Sequence, residues 1–253
     1  DLRSASAHYG GFDASMAACF LRDQVHWEHS ASYSGGRHHL RTWPIYVMRA
    51  FAANYTGLCG YMIDDVNYGE GSRKPGDDPS YDRSMIAACL LHDVGASRGR
   101  RANPYTYDRI YKALEEFGWF SDYKQIEFIP YWRSQRFYQY GLGVDTEEEA
   151  VDEFAIEEEK DTKALLENVY VSFYRNNKTK KALVVIVNYN GEPVIENLVI
   201  ADQLLGKRPG KMVDVEYGQP IPHQENFKNQ KPMPNTFNKI WVDRYQFRLL
   251  QVQ

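Results

Sequence analysis

The stretch GYMIDDVNYGEG, Gly60 to Gly71, holds the residue types best suited to chemistry. An apolar run delivers Asp64 and Asp65 at its end, and Glu70 follows between two glycines. Two carboxyl groups can divide the cleavage of a glycosidic bond. One protonates the leaving oxygen, and the other attacks or activates water. Carboxyls about 5 to 10 Å apart serve both common geometries. Side chains of adjacent strand residues point to opposite faces, so Asp64 and Asp65 are not expected to share one cleft. Glu70 paired with one of them is the better combination. The plainer alternative is that either aspartate caps a helix or binds loop backbone.

Three further stretches supply polar or aromatic groups for a ligand. In HWEHS, His26 to Ser30, Glu28 is another acid, and His29 and Ser30 near the strand end could hydrogen-bond hydroxyl groups, with Trp27 beside them. In LLHDVGASRGRR, His92 and Asp93 sit where an element gives way to a loop. Arg98 there could hold an anionic sugar, because guanidinium matches carboxylate or sulfate bidentately. In PYWR, Tyr131 and Trp132 end a strand and form either a sugar platform or ordinary packing. His38 and His39 are adjacent and point apart, and no HExxH or CxxC spacing accompanies them, so no metal or other cofactor is expected for catalysis. A structural Ca²⁺ at Asp77-Asp78 is compatible with the sequence and not required by it.

These residues need a frame. QVHWEHS, Gln24 to Ser30, and GLCGYMID, Gly57 to Asp64, read as strands. Apolar residues at helical spacing follow from Leu40 to Phe51. A second helix is expected after Ser80, taken as its N-cap, and a third over Tyr107 to Phe117, closed by Gly118. VGASRGRRANP reads as a loop, and IEFIPYW, Ile126 to Trp132, as a strand. Alternating strands and helices indicate a parallel sheet or barrel. After the acidic run Asp145 to Asp161, a solvated helix or linker, the period changes to two. VYVSFY, ALVVIVNYN, VIENLVI, KMVDVEY, KIWV and YQFRLLQV are strands, and NNKTK is a hairpin turn. The expected fold is the C-terminal part of an α/β, TIM-like (β/α)8 barrel over residues 1–150, then an antiparallel β-sandwich over 151–253. The boundary falls within 142–167.

Composition narrows the partners. The 253 residues are 43% hydrophobic and 14% aromatic, enough for a packed core. A net charge of -4 gives no basic field, which argues against nucleic acid. No apolar run approaches the roughly 20 residues that cross a bilayer as a helix. Three cysteines, Cys19, Cys59 and Cys89, read as small buried hydrophobes. No P-loop, GxSxG elbow or GxGxxG fingerprint is present.

In this order the pieces WEHS, DDVNYGEG, ACLLHDVGASR, EFGW, IEFIPYWRS and VYVSFYRNNKTKKALVVIVNYNGE resemble glycoside hydrolase family 123-like proteins, a loose bacterial group with a TIM barrel and a C-terminal β-sandwich. The resemblance runs over about residues 24 to 200. It implies glycan hydrolysis, with His29, Glu70 and Asp64 or Asp65 in the cleft. It also implies that early barrel strands lie upstream of Asp1 or on another chain. The characterised branch uses an adjacent Asp-Glu pair in substrate-assisted cleavage. Asp64-Asp65 stand here instead, so that mechanism does not carry over.

The expectation is therefore a glycoside hydrolase, or part of one, acting on a poly- or oligosaccharide and located in the periplasm or secreted. Two alternatives stay open. One is a non-catalytic carbohydrate-binding or structural module. The other is a polysaccharide lyase with His29 or a tyrosine as base and the arginine loop neutralising a uronate.

Overall fold

The computed structural model describes residues 25–30, 45, 49, 58–63, 79–97, 103–119, 121–141, 167–225 and 232–253. The chain forms two compact units, Asp1–Pro130 and Tyr131–Gln253.

In the first unit, β1 (Val25–Ser30), β2 (Leu58–Ile63) and β3 (Val94–Ser97) form a parallel sheet in that order. A parallel pair needs a long crossover, and α1 (Pro79–Leu91) lies within the one from β2 to β3. Pro79 opens the helix, where its missing N–H costs nothing. Ser80, expected as the cap, therefore lies inside the first turn. Ile86 to Leu91 are all buried, as are Asp82 and Ser84, so α1 is enclosed on most sides. Asp82 is satisfied by the backbone N–H of Asn103, 2.7 Å away. Asn103 in turn caps α2 (Pro104–Phe117), its Oδ1 accepting from the N–H groups of Tyr105 and Thr106. Tyr107, Ile110, Leu114 and Phe117 form the buried face of α2, as their spacing predicts. Gly118 ends the helix at φ 92°, a left-handed conformation that glycine adopts without strain. Of the helix expected from Leu40 to Phe51, Ile45 and Arg49 are described, and both are helical.

Two local readings change here. The VGAS segment of the expected loop is strand β3. Its small residues give no apolar alternation, and pairing with β2 supplies what the pattern lacks. The strand β4 (Ile126–Ile129) stops before Pro130 instead of running on to Trp132. Proline has no N–H for a ladder, and the chain turns into a single helical turn, α3 (Tyr131–Ser134).

The second unit contains α3 and two antiparallel sheets. Their strands are β5 (Tyr138–Tyr140), β6 (Val169–Asn176), β7 (Lys181–Asn188), β8 (Val194–Ile200), β9 (Met212–Asp214), β10 (Gln219–Ile221), β11 (His223–Glu225), β12 (Pro232–Val242) and β13 (Phe247–Val252). One sheet contains β10-β9-β13-β7-β6 in that order, and the other is β11-β12-β8-β5. The KMVDVEY segment yields only three strand residues. Asp214 Oδ1 accepts from the N–H groups of Glu216 and Tyr217, which turns the chain at once.

The unit begins at Tyr131, earlier than the 142–167 range read from the sequence. The reason is physical. Ser134 Oγ donates to the Val171 carbonyl at 2.6 Å, and β5 pairs with β8. Residues 131–140 thus belong to the sandwich. Of the barrel expected upstream, the described residues show parallel strands and helices but form no closed barrel.

β7 is the centre of the sandwich, with Ala182 to Asn188 buried on both faces. Phe173, paired with Val184, meets the ring of Tyr138 from the other sheet at 5.8 Å, which identifies the face between the sheets. At the end of β7, the Asn188 amide spans both sheets. Its Nδ2 donates to the carbonyls of Glu192 (2.8 Å), Val242 and Asp243 (both 3.2 Å), and its Oδ1 accepts from the backbone N–H and side-chain amide of Asn190. The β6–β7 turn is the expected one. Asn176 Oδ1 accepts from the N–H groups of Lys178 and Thr179, and Lys180 takes φ 54°.

Two substitutions test this account. Asn188→Leu removes a buried amide that satisfies several backbone groups and should cost about 2–4 kcal/mol, read as a lower urea midpoint with unchanged slope. Lys180→Gly relieves a left-handed backbone at an exposed turn and should raise stability by up to about 1 kcal/mol.

Candidate functional site

Parallel α/β folds gather function beyond the C-terminal ends of their strands. In the first unit those ends are flush. Ser30 is registered with Ile63, and Ile63 with Ser97. At a strand spacing of about 4.8 Å, the three ends form a row about 10 Å wide. Asp64 follows β2 directly in the sequence, and Arg98 follows β3. Asp64, Asp65, Glu70 and Arg98 lie outside the described residues, as do Asp77 and Asp78. Trp27, Glu28 and His29 hold backbone positions in β1 opposite Gly60, Tyr61 and Met62; their side chains are also outside the description.

His92 and Asp93 follow α1. His92 is 4% exposed, and its Nδ1–H donates to the Ala88 carbonyl at 2.8 Å, one helical turn back. Burial lowers its pKa to about 4; the bond to Ala88 opposes this shift, and the positive charge of Arg49 adds to it. The ring is therefore neutral near pH 7 and sits in the interior. Asp93 has φ 58°, a conformation that aspartate tolerates better than most residues. It reverses the chain between α1 and β3.

Tyr131 and Trp132 come together with two residues that the sequence did not single out. Tyr131 meets Trp132 edge-on at 4.8 Å and Tyr170 at 5.0 Å, and Tyr170 meets Tyr189 at 5.5 Å. The Tyr131 N–H donates to Ser172 Oγ at 3.0 Å. All four rings are half-buried. Tyr170 and Ser172 share the face of β6 whose partners on β7 are Val187 and Val185, both buried. That geometry is a packed aromatic cluster beside an apolar sheet face. The alternation of VYVSFY carried the signal: it puts Tyr170 and Ser172 on one side.

A second polar group lies within the sandwich. Asp214, 1% exposed, forms an ion pair with Arg248. Tyr140 donates its hydroxyl to the Ile240 carbonyl at 2.7 Å. Burial, and then the nearby Glu196 carboxylate, push that phenol above its ordinary range. Glu196 itself is raised by burial, against the pull of Lys239. These contacts tie charge to backbone and to one another. Among the described residues, no three His, Cys, Asp or Glu side chains converge as metal ligands, and no helix is long and apolar enough to cross a membrane.

No family model matches the chain, and no curated protein matches it. Solved structures with partial likeness include two of a GH27 β-L-arabinopyranosidase from Geobacillus stearothermophilus. A variant in complex with arabinose gives a TM-score of 0.46 at 12% identity, covering 96% of this chain and 48% of that one. The wild type gives 0.47 at 11%, covering 92% and 46%. A noncanonic maltogenic α-amylase, AmyB from Thermotoga neapolitana, gives 0.41 at 10%, covering 99% and 63%. The chain thus spans about half the length of the arabinopyranosidase. Likeness at this level assigns no chemistry to the chain.

The buried His92 generates a pH prediction. Its folded pKa lies below its unfolded one, so between about pH 6.5 and 4 the unfolded chain binds a proton that the folded chain does not. Stability is then full above the unfolded value and falls as the pH drops through that window. At about 1.4 kcal/mol per unit, the loss is on the order of 3 kcal/mol. Denaturant melts at pH 7 and pH 4 should show this loss in the wild type and a smaller one in His92→Gln.

Proposed function

We propose that the chain is part of a glycoside hydrolase acting on a poly- or oligosaccharide, with Glu70 as general acid and Asp64 or Asp65 as its carboxylate partner. The observation that supports this most is the flush C-terminal edge of β1, β2 and β3. The sequence continues from the middle strand into Asp64-Asp65 and on to Glu70. A carboxyl pair serves bond cleavage only if the backbone brings it to a common edge, and the central strand of a parallel sheet has such an edge. Trp27, Glu28 and His29 on β1, with Arg98 after β3, are the neighbouring candidates for sugar contacts. The resemblance to family 123-like proteins points the same way. A glycan substrate goes with a secreted or periplasmic location.

Removing a general acid typically costs about 10²–10⁴ in rate. Glu70→Gln should therefore lower turnover by that order on a confirmed glycan, with little change in melting temperature. Asp64→Asn and Asp65→Asn should differ, one matching Glu70→Gln and the other remaining near wild type. Unchanged turnover in Glu70→Gln removes Glu70 from the mechanism. If all three variants stay active, the carboxyl-pair reading is lost.

A further inference from the structure

The outward face of the sheet β11-β12-β8-β5 carries two large apolar side chains in the open. Trp241 is 50% exposed and Ile195 56%. They are direct register partners across β12 and β8. Such partners have Cβ atoms about 5 Å apart, so the indole and the branched aliphatic chain form one continuous patch. Asn197 and Val199 continue the same face along β8, Lys239 precedes Trp241 by two residues on β12, and Gln139 on β5 is registered with Val199.

The polar rim of the patch is ordered. Asn197 Oδ1 accepts from the Lys239 N–H at 2.9 Å. That bond fixes the amide and leaves its Nδ2 without a protein partner among the described residues.

Folding does not account for Trp241. A cross-strand pair on a wetted face contributes about 0.2–1 kcal/mol, which a valine or threonine would supply with less apolar surface left in water. The patch is also small. A tryptophan and an isoleucine offer a few hundred Å² at most, against about 800 Å² per partner in a stable protein interface. A single lysine is too little charge for an anionic membrane surface, where clusters of four or more cations are usual. A flat ring with an ordered amide at its rim matches a ligand that has one apolar face and a border of hydroxyl groups.

We infer that Trp241 and Ile195, flanked by Asn197, form a surface site for one sugar ring of a neutral polysaccharide. A pyranose lays its C–H face on the indole, and its hydroxyls accept from Asn197 Nδ2. The choice of a glycan rests on the proposed function. The binding itself uses none of Asp64, Asp65 or Glu70.

The test is native gel electrophoresis of the whole chain through gels containing xylan, arabinogalactan, galactomannan or amylose, with wild type, Trp241→Ala, Asn197→Ala and Glu70→Gln run side by side. At least one polysaccharide should retard the wild type. Trp241→Ala should weaken that retardation at least about ten-fold, the scale of losing one ring contact, and Asn197→Ala a few-fold. Trp241→Ala should melt close to the wild type, because the indole lies on the solvent side of the sheet, and Asn197→Ala slightly lower, because it loses the bond to the Lys239 N–H. Glu70→Gln should be retarded like the wild type. If none of the four polysaccharides retards the wild type, or if Trp241→Ala is retarded equally, the site is refuted. A dimer on sizing that dissociates in Trp241→Ala makes a second copy the occupant and overturns the proposal. If the wild type is retarded but cleaves none of the glycans while Trp241→Ala loses binding, the hydrolase reading fails and this site stands.

Discussion

The amide of Asn188 is the interaction on which the second unit depends. β7 is buried on both faces, so a polar side chain at its end needs a full set of partners. Asn188 finds them in the carbonyls of Glu192, Val242 and Asp243 and in the two donors of Asn190. Those partners belong to the turn after β7 and to the exit from β12, which lies in the other sheet. One amide therefore sets where both sheets end. The side chains between them then fall into register, with Phe173 against Tyr138 and Val184 behind it. An apolar residue at this position would leave carbonyls buried without donors, which is costlier than losing a single surface bond.

The first unit follows a different constraint. Parallel strands must be joined by crossovers, so their C-terminal ends emerge on one side and the connecting chain leaves from there. The flush register of Ser30, Ile63 and Ser97 gives a narrow edge with three chain exits. Asp93 contributes from a distance. Its left-handed backbone turns the chain out of α1 and into β3, and that strand completes the edge. His92, one residue earlier, is turned inward and anchors the same corner through Ala88.

Much of this was legible in the sequence because the signals were strong and local. The alternation of VYVSFY and the apolar run ALVVIVN define β6 and β7. NNKTK gives their turn, and Gly118 closes α2. The misread elements lacked such signals. β3 is made of Val, Gly, Ala and Ser, whose small side chains give no period, and only its pairing with β2 reveals it. Residues 131–140 look continuous with the preceding strand until Pro130 ends the ladder and Ser134 bonds to Val171. The partners of the aromatic pair were hidden for a related reason. Tyr170 and Tyr189 are far from Tyr131 in the chain, and only the sheet brings them near. The acidic candidates Asp64, Asp65 and Glu70 were conspicuous because carboxylates at the end of an apolar run are easy to see, whereas the pairing of Trp241 with Ile195 depends on a register that no single segment contains.

The early entry of the chain into the sandwich fixes where the acidic stretch is attached. Gly141 donates its N–H to the Asn197 carbonyl, and Val169 opens β6 in the same unit. The polypeptide therefore departs from one body at residue 141 and returns to that body by residue 167. The acidic run Asp145 to Asp161 lies outside the described residues, and the residues on either side of it both belong to the second unit. The entropy of closing a connection whose two ends lie in one unit changes by only about 0.6 kcal/mol for each doubling of its length. The number of residues between these two ends can therefore change with little effect on the sheets that hold them.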